Sequence, residues 1–325
     1  MQASIGKKIY EKYGTYIILV ALIVFFSIVG EGFFSWGNLT SLLRTGAVYI
    51  LFGCGMTFVM ISGKIDLSIG AIAALVGCVA SLCMQTGMSC IPASIVGIIV
   101  GLVCGFINGF CIAKLRVPFF IMTAGMMYAA SGLALVLTHE TSIRINHVSD
   151  AAVPFEFWGG KTLALIPGKI NIPSQFIIAI IFFIICLYLI NNTKMGRYTY
   201  AIGSNEKTAR LSGVNVDKYT VLIFTLNGLG AAIAGLVLAS RLMTGSPNVA
   251  DGGYNILAIA AASIGGTSLM GGEGKLAKTV VGAFVICVIS TGLNIMGISA
   301  SVQKIVIGAV LIIVVAVDML GKKRR

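Results

Sequence analysis

The feature that most constrains this chain is a repeated one: apolar runs of about 20 residues recur from end to end, separated by short turns. At 1.5 Å per helical residue, a run of that length crosses a hydrocarbon core of roughly 30 Å. Ten segments can be drawn, at 15–34, 43–62, 67–86, 92–113, 118–138, 174–193, 219–240, 254–268, 277–296 and 301–319. Soluble domains carry about a quarter charged residues; here 10% are charged and 58% hydrophobic. The expectation is an all-α polytopic membrane protein, one transmembrane domain over residues 1–325 with about ten transmembrane helices and broken Gly-rich segments. No stretch remains for a soluble catalytic domain. The short, Gly-bounded segment 254–268 either spans or is re-entrant. The first run follows Lys7, Lys8 and Lys12 without a small-residue cleavage site, so it reads as a retained helix and not a signal peptide.

Charge orients the chain. The net charge of +12 is spread over loops, so it points to membrane topology and not to nucleic acid. With the amino terminus inside, 17 of the 23 basic residues fall on the cytoplasmic side, and only Arg44, Arg144, Lys161, Lys169, Arg241 and Lys304 fall outside. The positive-inside rule therefore places both termini, including the KKRR tail, on the cytoplasmic side of a protein bathed in lipid. The longest outer loop, 139–173, lies on the opposite side on this topology.

The residues exclude several chemistries. The eight cysteines show no CxxC spacing and lie mostly in apolar runs, where they serve as small apolar side chains. His139 and His147 stand eight apart with no ligand partners at metal spacing, so no metal and no cofactor is assigned. Catalysis needs an acid, base, nucleophile or metal cluster, and the spans offer few candidates, with no histidine and no paired carboxylates. A phosphate-binding loop would place glycine five residues before Gly160-Lys161-Thr162, where Phe155 stands. If transport is ATP-driven, another chain must hold the nucleotide.

What remains is polar material suited to a solute path. Asp66 follows Lys64 at the inner end of the second segment; a charge at mid-bilayer costs about 2.5–3.5 kcal/mol, so both belong near the interface or in a polar cavity. Either Lys64 reaches water while Asp66 caps the next helix, or the backbone unwinds between them. Thr57, Asn108, Asn227, Ser290 and Asn294 offer uncharged donors and acceptors within spans, as a polyhydroxylated solute requires; interhelical hydrogen bonding is the alternative for each. Gly97, Gly101, Gly105 and Gly109 repeat every fourth residue, which lets helix backbones approach closely, within one subunit or between two. The stretches beginning at Ile50 and Ile256 both run into Gly-rich turns and hint at a parallel internal duplication.

The longest charged, turn-rich stretch is 195–219. Ser204 or Asn205 can cap a helix with Glu206 in its first turn, and Gly213 after Arg210 is a stop. The result is a helix of about two turns, presenting Glu206, Lys207 and Arg210 to the cytoplasm with Ala209 and Leu211 available to dock on a partner.

Three segments, GMTFVMISGKIDLSIG from Gly55, GRYTYAIGSNEKTARLSGVNV from Gly196 and IGGTSLMGGEGK from Ile264, occur in order along a chain that resembles, over its whole length, the permease subunit of ribose-type monosaccharide ABC importers, the family that handles ribose, galactosides, xylose, arabinose and allose. The resemblance implies two permease chains, identical or different, forming the path, two cytoplasmic ATPases driving it and a periplasmic sugar-binding protein delivering a monosaccharide. It also implies that Gly203, Asn205, Glu206, Ala209, Arg210, Leu211 and Gly213 form the segment coupling the permease to the ATPase. The chain departs from the family pattern at Lys64, Ser204, Asn255, Leu257 and Lys278. An ion-coupled secondary transporter is the alternative; it would need an intramembrane ion site, and few buried carboxylates are available for one.

Overall fold

The structure, a computed structural model, describes residues 5–145, 152–166 and 170–323. In chain order the helices are α1 (Ile5–Val29), α2 (Trp36–Ile61), α3 (Ile69–Gln85), α4 (Cys90–Ala113), α5 (Phe119–Thr138), α6 (Ala152–Gly159), α7 (Ser174–Asn192), α8 (Lys194–Ser204), α9 (Glu206–Leu211), α10 (Val216–Leu242), α11 (Tyr254–Ile264), α12 (Leu276–Ile295) and α13 (Ala300–Lys323). Each of the ten expected apolar segments coincides with a helix. Among the described residues, six helices (α2, α4, α5, α7, α10 and α12) are long and apolar enough to cross a membrane. α1, α3 and α13 carry shorter apolar stretches, and α11, with 11 residues, rises only about 16 Å.

The chain is mostly helical, as expected, with four short strands beside the helices among the described residues. Strands β1 (Ile143–Arg144) and β4 (Thr244–Gly245) pair antiparallel, as do β2 (Thr162–Ile166) and β3 (Ile170–Pro173), with Leu163 opposite Ile172. These strands lie between apolar helices, where backbone groups freed from helices still need partners. The loop at 139–173 also holds α6, whose Phe155 is fully buried. His147, Pro167 and Lys169 lie outside the described residues.

α10 is the centre of the bundle, apolar on all sides as a surrounded helix must be. It meets α4 backbone to backbone: a Cβ added at Gly101, Gly105 or Gly109 would lie 2.5 Å from Ala232 Cβ, 2.5 Å from the Phe224 oxygen or 2.6 Å from Val221 Cα, respectively. The four-residue glycine stripe is thus spent on packing inside this chain. Gly230 and Gly235 repeat the device toward α2 and α3, their added Cβ atoms meeting the Leu51 oxygen and Ala73 Cα at 2.9 Å each. Lipid tails are as apolar as leucine, so close backbone packing replaces the hydrophobic drive of a soluble core.

At the end of the bundle that carries Lys64, Lys114, Arg116, Lys207 and Arg210, here the basic end, two helices stop at Gly-rich turns. α2 stops at Ile61 before α3 begins, and α11 stops at Ile264 before α12 begins. The two turns touch: a Cβ at Gly271 would lie 2.7 Å from Gly63 Cα. These are the same turns that the sequence set in parallel.

Candidate functional site

The chain between α2 and α3 is not helical, so the second of the two sequence readings holds: the backbone unwinds between Lys64 and Asp66. Gly63 makes the bend at φ +75°. Asp66 does not cap α3 directly. Ser68 occupies the cap position, and Asp66 Oδ1 accepts from the Ser68 amide (2.8 Å) and the Ser68 hydroxyl (2.6 Å). Its other oxygen accepts from Asn227 Nδ2 on α10 at 2.9 Å, while Asn108 Nδ2 on α4 donates to Ser68 Oγ at 2.9 Å. A buried carboxylate needs several donors, and a break between helices lets two other helices supply them. Asp66, Ser68, Asn108 and Asn227 are all buried, and the two amide oxygens, Asn108 Oδ1 and Asn227 Oδ1, have no partner.

Three of the six candidate path residues therefore form one node, joined by Ser68, which sequence reasoning passed over. The other three lie apart. Thr57 is fully buried, donating to the Gly53 carbonyl at 2.7 Å and paired with Thr279 Oγ1 of α12 at 2.8 Å, so it joins α2 to α12. Ser290 is half-buried and Asn294 exposed, one turn apart at the far end of α12.

The charged stretch forms two helices. Thr193 caps α8, its hydroxyl accepting from the Met195 amide at 3.1 Å. Asn205, not Ser204, caps α9, accepting from the Thr208 amide at 2.9 Å. α9 ends as expected: Gly213 takes φ +83°, its amide donates to the Arg210 carbonyl and the Val214 amide to the Ala209 carbonyl, both at 3.1 Å, which is the Schellman arrangement. Ala209 is turned inward against Ile202 and Val216, which corrects its expected outward role; in six residues only one face can be buried, and the alanine takes it. Leu211 is 89% exposed and, with Glu206, Lys207 and Arg210, lines an open depression of about 580 Å³.

The charges of α9 are largely answered within the chain. Glu206 lies 3.4 Å from Lys64, 3.7 Å from Arg210 and 3.9 Å from Arg116; Asp217, at the start of α10, lies 2.8 Å from Arg210, 3.1 Å from Arg116 and 3.5 Å from Lys114. Burial pulls the Lys64 ammonium below its usual pKa, with the Glu206 carboxylate pulling the other way. Beneath α9, the end of α8 is wedged into the two Gly-rich turns. The Gly272 amide donates to the Ile61 carbonyl at 2.8 Å, and Gly203 sits against both groups: an added Cβ would lie 2.5 Å from Gly272 N and closer still to the Ile61 oxygen. Tyr200 secures the wedge, its hydroxyl donating to the Gly274 carbonyl at 2.7 Å. No local signal in the sequence pairs Gly203 with Ile61 or Lys64 with Glu206.

An apolar bundle closed through glycines, with a buried polar node at a helix break and a capped surface helix fastened to it, has the build of a multi-pass membrane transport component. Comparison with known proteins specifies it. Residues 38–315 match the family described as "Branched-chain amino acid transport system / permease component". "Ribose import permease protein RbsC" of Escherichia coli (strain K12) is 35% identical over 278 residues, 86% of this chain and 84% of that protein. The protein of that name from Bacillus subtilis (strain 168) is 37% identical over 88% of this chain and 86% of its own. "L-arabinose transport system permease protein AraH" of Escherichia coli (strain K12) is 33% identical over 88% and 84%. The chain belongs to this family of transport permeases.

Proposed function

We propose that this chain is the membrane-spanning permease of an ATP-driven monosaccharide importer, with both termini and the basic end in the cytoplasm of a bacterial inner membrane. The observation that carries the reading is α9: a helix too short to persist alone is capped at both ends, exposes Leu211, and is fastened to the breaks of the spans beneath it. Such a helix suits a seat in a cytoplasmic ATPase and a mechanical link to the path. On this reading Asn205, Gly213, Leu211 and Lys207 present the helix, while Gly203, Glu206, Ala209 and Arg210 hold it to the bundle. α11 reaches mid-bilayer as a half-span completed by irregular chain, giving ten crossings. A second permease copy, or a different permease chain, completes the path, and a periplasmic sugar-binding protein supplies the substrate.

The test is reconstitution in liposomes with the partner ATPase and binding protein, following uptake of labelled ribose and arabinose. Uptake of a monosaccharide that requires both the ATPase and ATP is expected. Uptake driven by an ion gradient with no ATPase present would overturn the reading.

A further inference from the structure

We propose that the Lys64–Glu206 ion pair is the link through which displacement of α9 reaches the buried break at residues 62–68, making Lys64 a positioning residue for transport. The inference rests on the importer reading above. Glu206 is the first residue of α9 and Lys64 the third of the break, 3.4 Å apart across 142 residues of sequence. The Lys64 side chain is only 11% exposed, and besides Glu206 its ammonium reaches the Ser62 carbonyl at 3.5 Å. An ammonium so placed loses its anionic partner among the described residues if α9 moves away alone, so the two move together. Glu206 is differently situated. It is partly exposed and keeps Arg116 and Arg210 within 4 Å, so α9 holds its local structure without Lys64.

What lies beyond Lys64 gives the link its use. Two residues on, Asp66 holds Asn227 of α10, and Ser68 holds Asn108 of α4. A pull on Lys64 is therefore delivered to a stretch of unwound backbone that is bonded to both α10 and α4. Glycine-packed helices cannot bend to absorb it, because their backbones are already in contact.

The experiment uses the whole reconstituted transporter and reads sugar imported per ATP hydrolysed, alongside ATPase affinity and melting temperature. Lys64→Gln is expected to lower sugar imported per ATP about fivefold or more with ATPase affinity unchanged, and Lys64→Arg to restore most of it. Glu206→Gln is expected to lower the ratio similarly, and the double variant to be no worse than the poorer single one. Because Glu206 is partly exposed, Glu206→Gln serves where Lys64→Gln fails to fold. A wild-type ratio in either neutral variant, or strictly additive losses, would overturn the link while leaving the importer reading intact. A wild-type transporter with no ATP-dependent uptake would overturn both.

Discussion

Replacing Gly203 with alanine tests the wedge between α8 and the two Gly-rich turns. The added methyl would lie 2.5 Å from Gly272 N and 2.8 Å from the Ile61 carbonyl carbon, where ordinary contact begins at 3.4 Å. Closest of all is the Ile61 carbonyl oxygen; all of these neighbours are backbone, so no side chain can rotate aside, and the end of α8 must withdraw by roughly 1.5 Å or the turns must part. Overpacking of this kind costs about 1–3 kcal/mol. If the turns part, the Gly272–Ile61 hydrogen bond of 2.8 Å is lost as well, and a buried carbonyl left unpaired adds about 1–3 kcal/mol.

The control is Gly213→Ala, where nothing lies within 4 Å and only the left-handed backbone at φ +83° is strained, at about 1–2 kcal/mol. Thermal denaturation of the detergent-solubilised complex should therefore rank Gly203→Ala well below Gly213→Ala, and Gly213→Ala below the wild type. Uptake in liposomes should fall further in Gly203→Ala than ATPase binding does, because α9 keeps its own caps while its seat on the bundle shifts. A Gly203→Ala protein that melts and transports as the wild type does would refute the wedge.

Four further substitutions, at three positions, probe the node, the cap and the Thr57–Thr279 pair. Asp66→Asn should be nearly neutral in melting temperature, because the Asn227 amide can rotate and offer its unpaired Oδ1 to the new NH₂ group. Asp66→Leu strands the Ser68 and Asn227 donors and should cost about 2–5 kcal/mol; equal damage from both substitutions would mean that the negative charge itself is required. Asn205→Ala removes the bond to the Thr208 amide, worth about 1 kcal/mol, and should weaken ATPase binding about fivefold in a titration. Thr57→Val leaves Thr279 without its partner, so melting temperature should fall while the KM for sugar stays unchanged; a raised KM would put Thr57 on the path.

The apolar helices were legible because bilayer thickness leaves the sequence little choice of segment length, and α9 because Asn205 and Gly213 are local signals for a helix start and stop. What local signals could not reach was pairing at long range. Asp66 reads as a cap until Asn227, 161 residues away, is brought beside it. Nothing near Thr57 in sequence marks Thr279, 222 residues away, as the partner of its hydroxyl. Ala209 and Leu211 are both apolar in a six-residue helix, and only the position of Ile202 and Val216 decides which is buried. The short strands escaped because two to five residues between spans carry no periodicity long enough to read.

The same division explains where the bundle can move. Wherever α10 meets α4, α2 and α3, glycines bring backbone to backbone, and such contacts leave no slack for sliding by fractions of an ångström. Where the helices break, at 62–68 and 265–275, glycine contacts of the same kind join the two turns, and they are accompanied by hydrogen bonds and one carboxylate, which can exchange partners. The node at Asp66 and the wedge at Gly203 are both built on the first of these breaks, and α9 is fastened to it twice, through α8 by Gly203 and directly by Lys64. A force on α9 is therefore met first by the break at 62–68. The residue that tells a steric push from an ionic pull is Lys64, since Lys64→Gln removes the pull and leaves the Gly203 contact as it was.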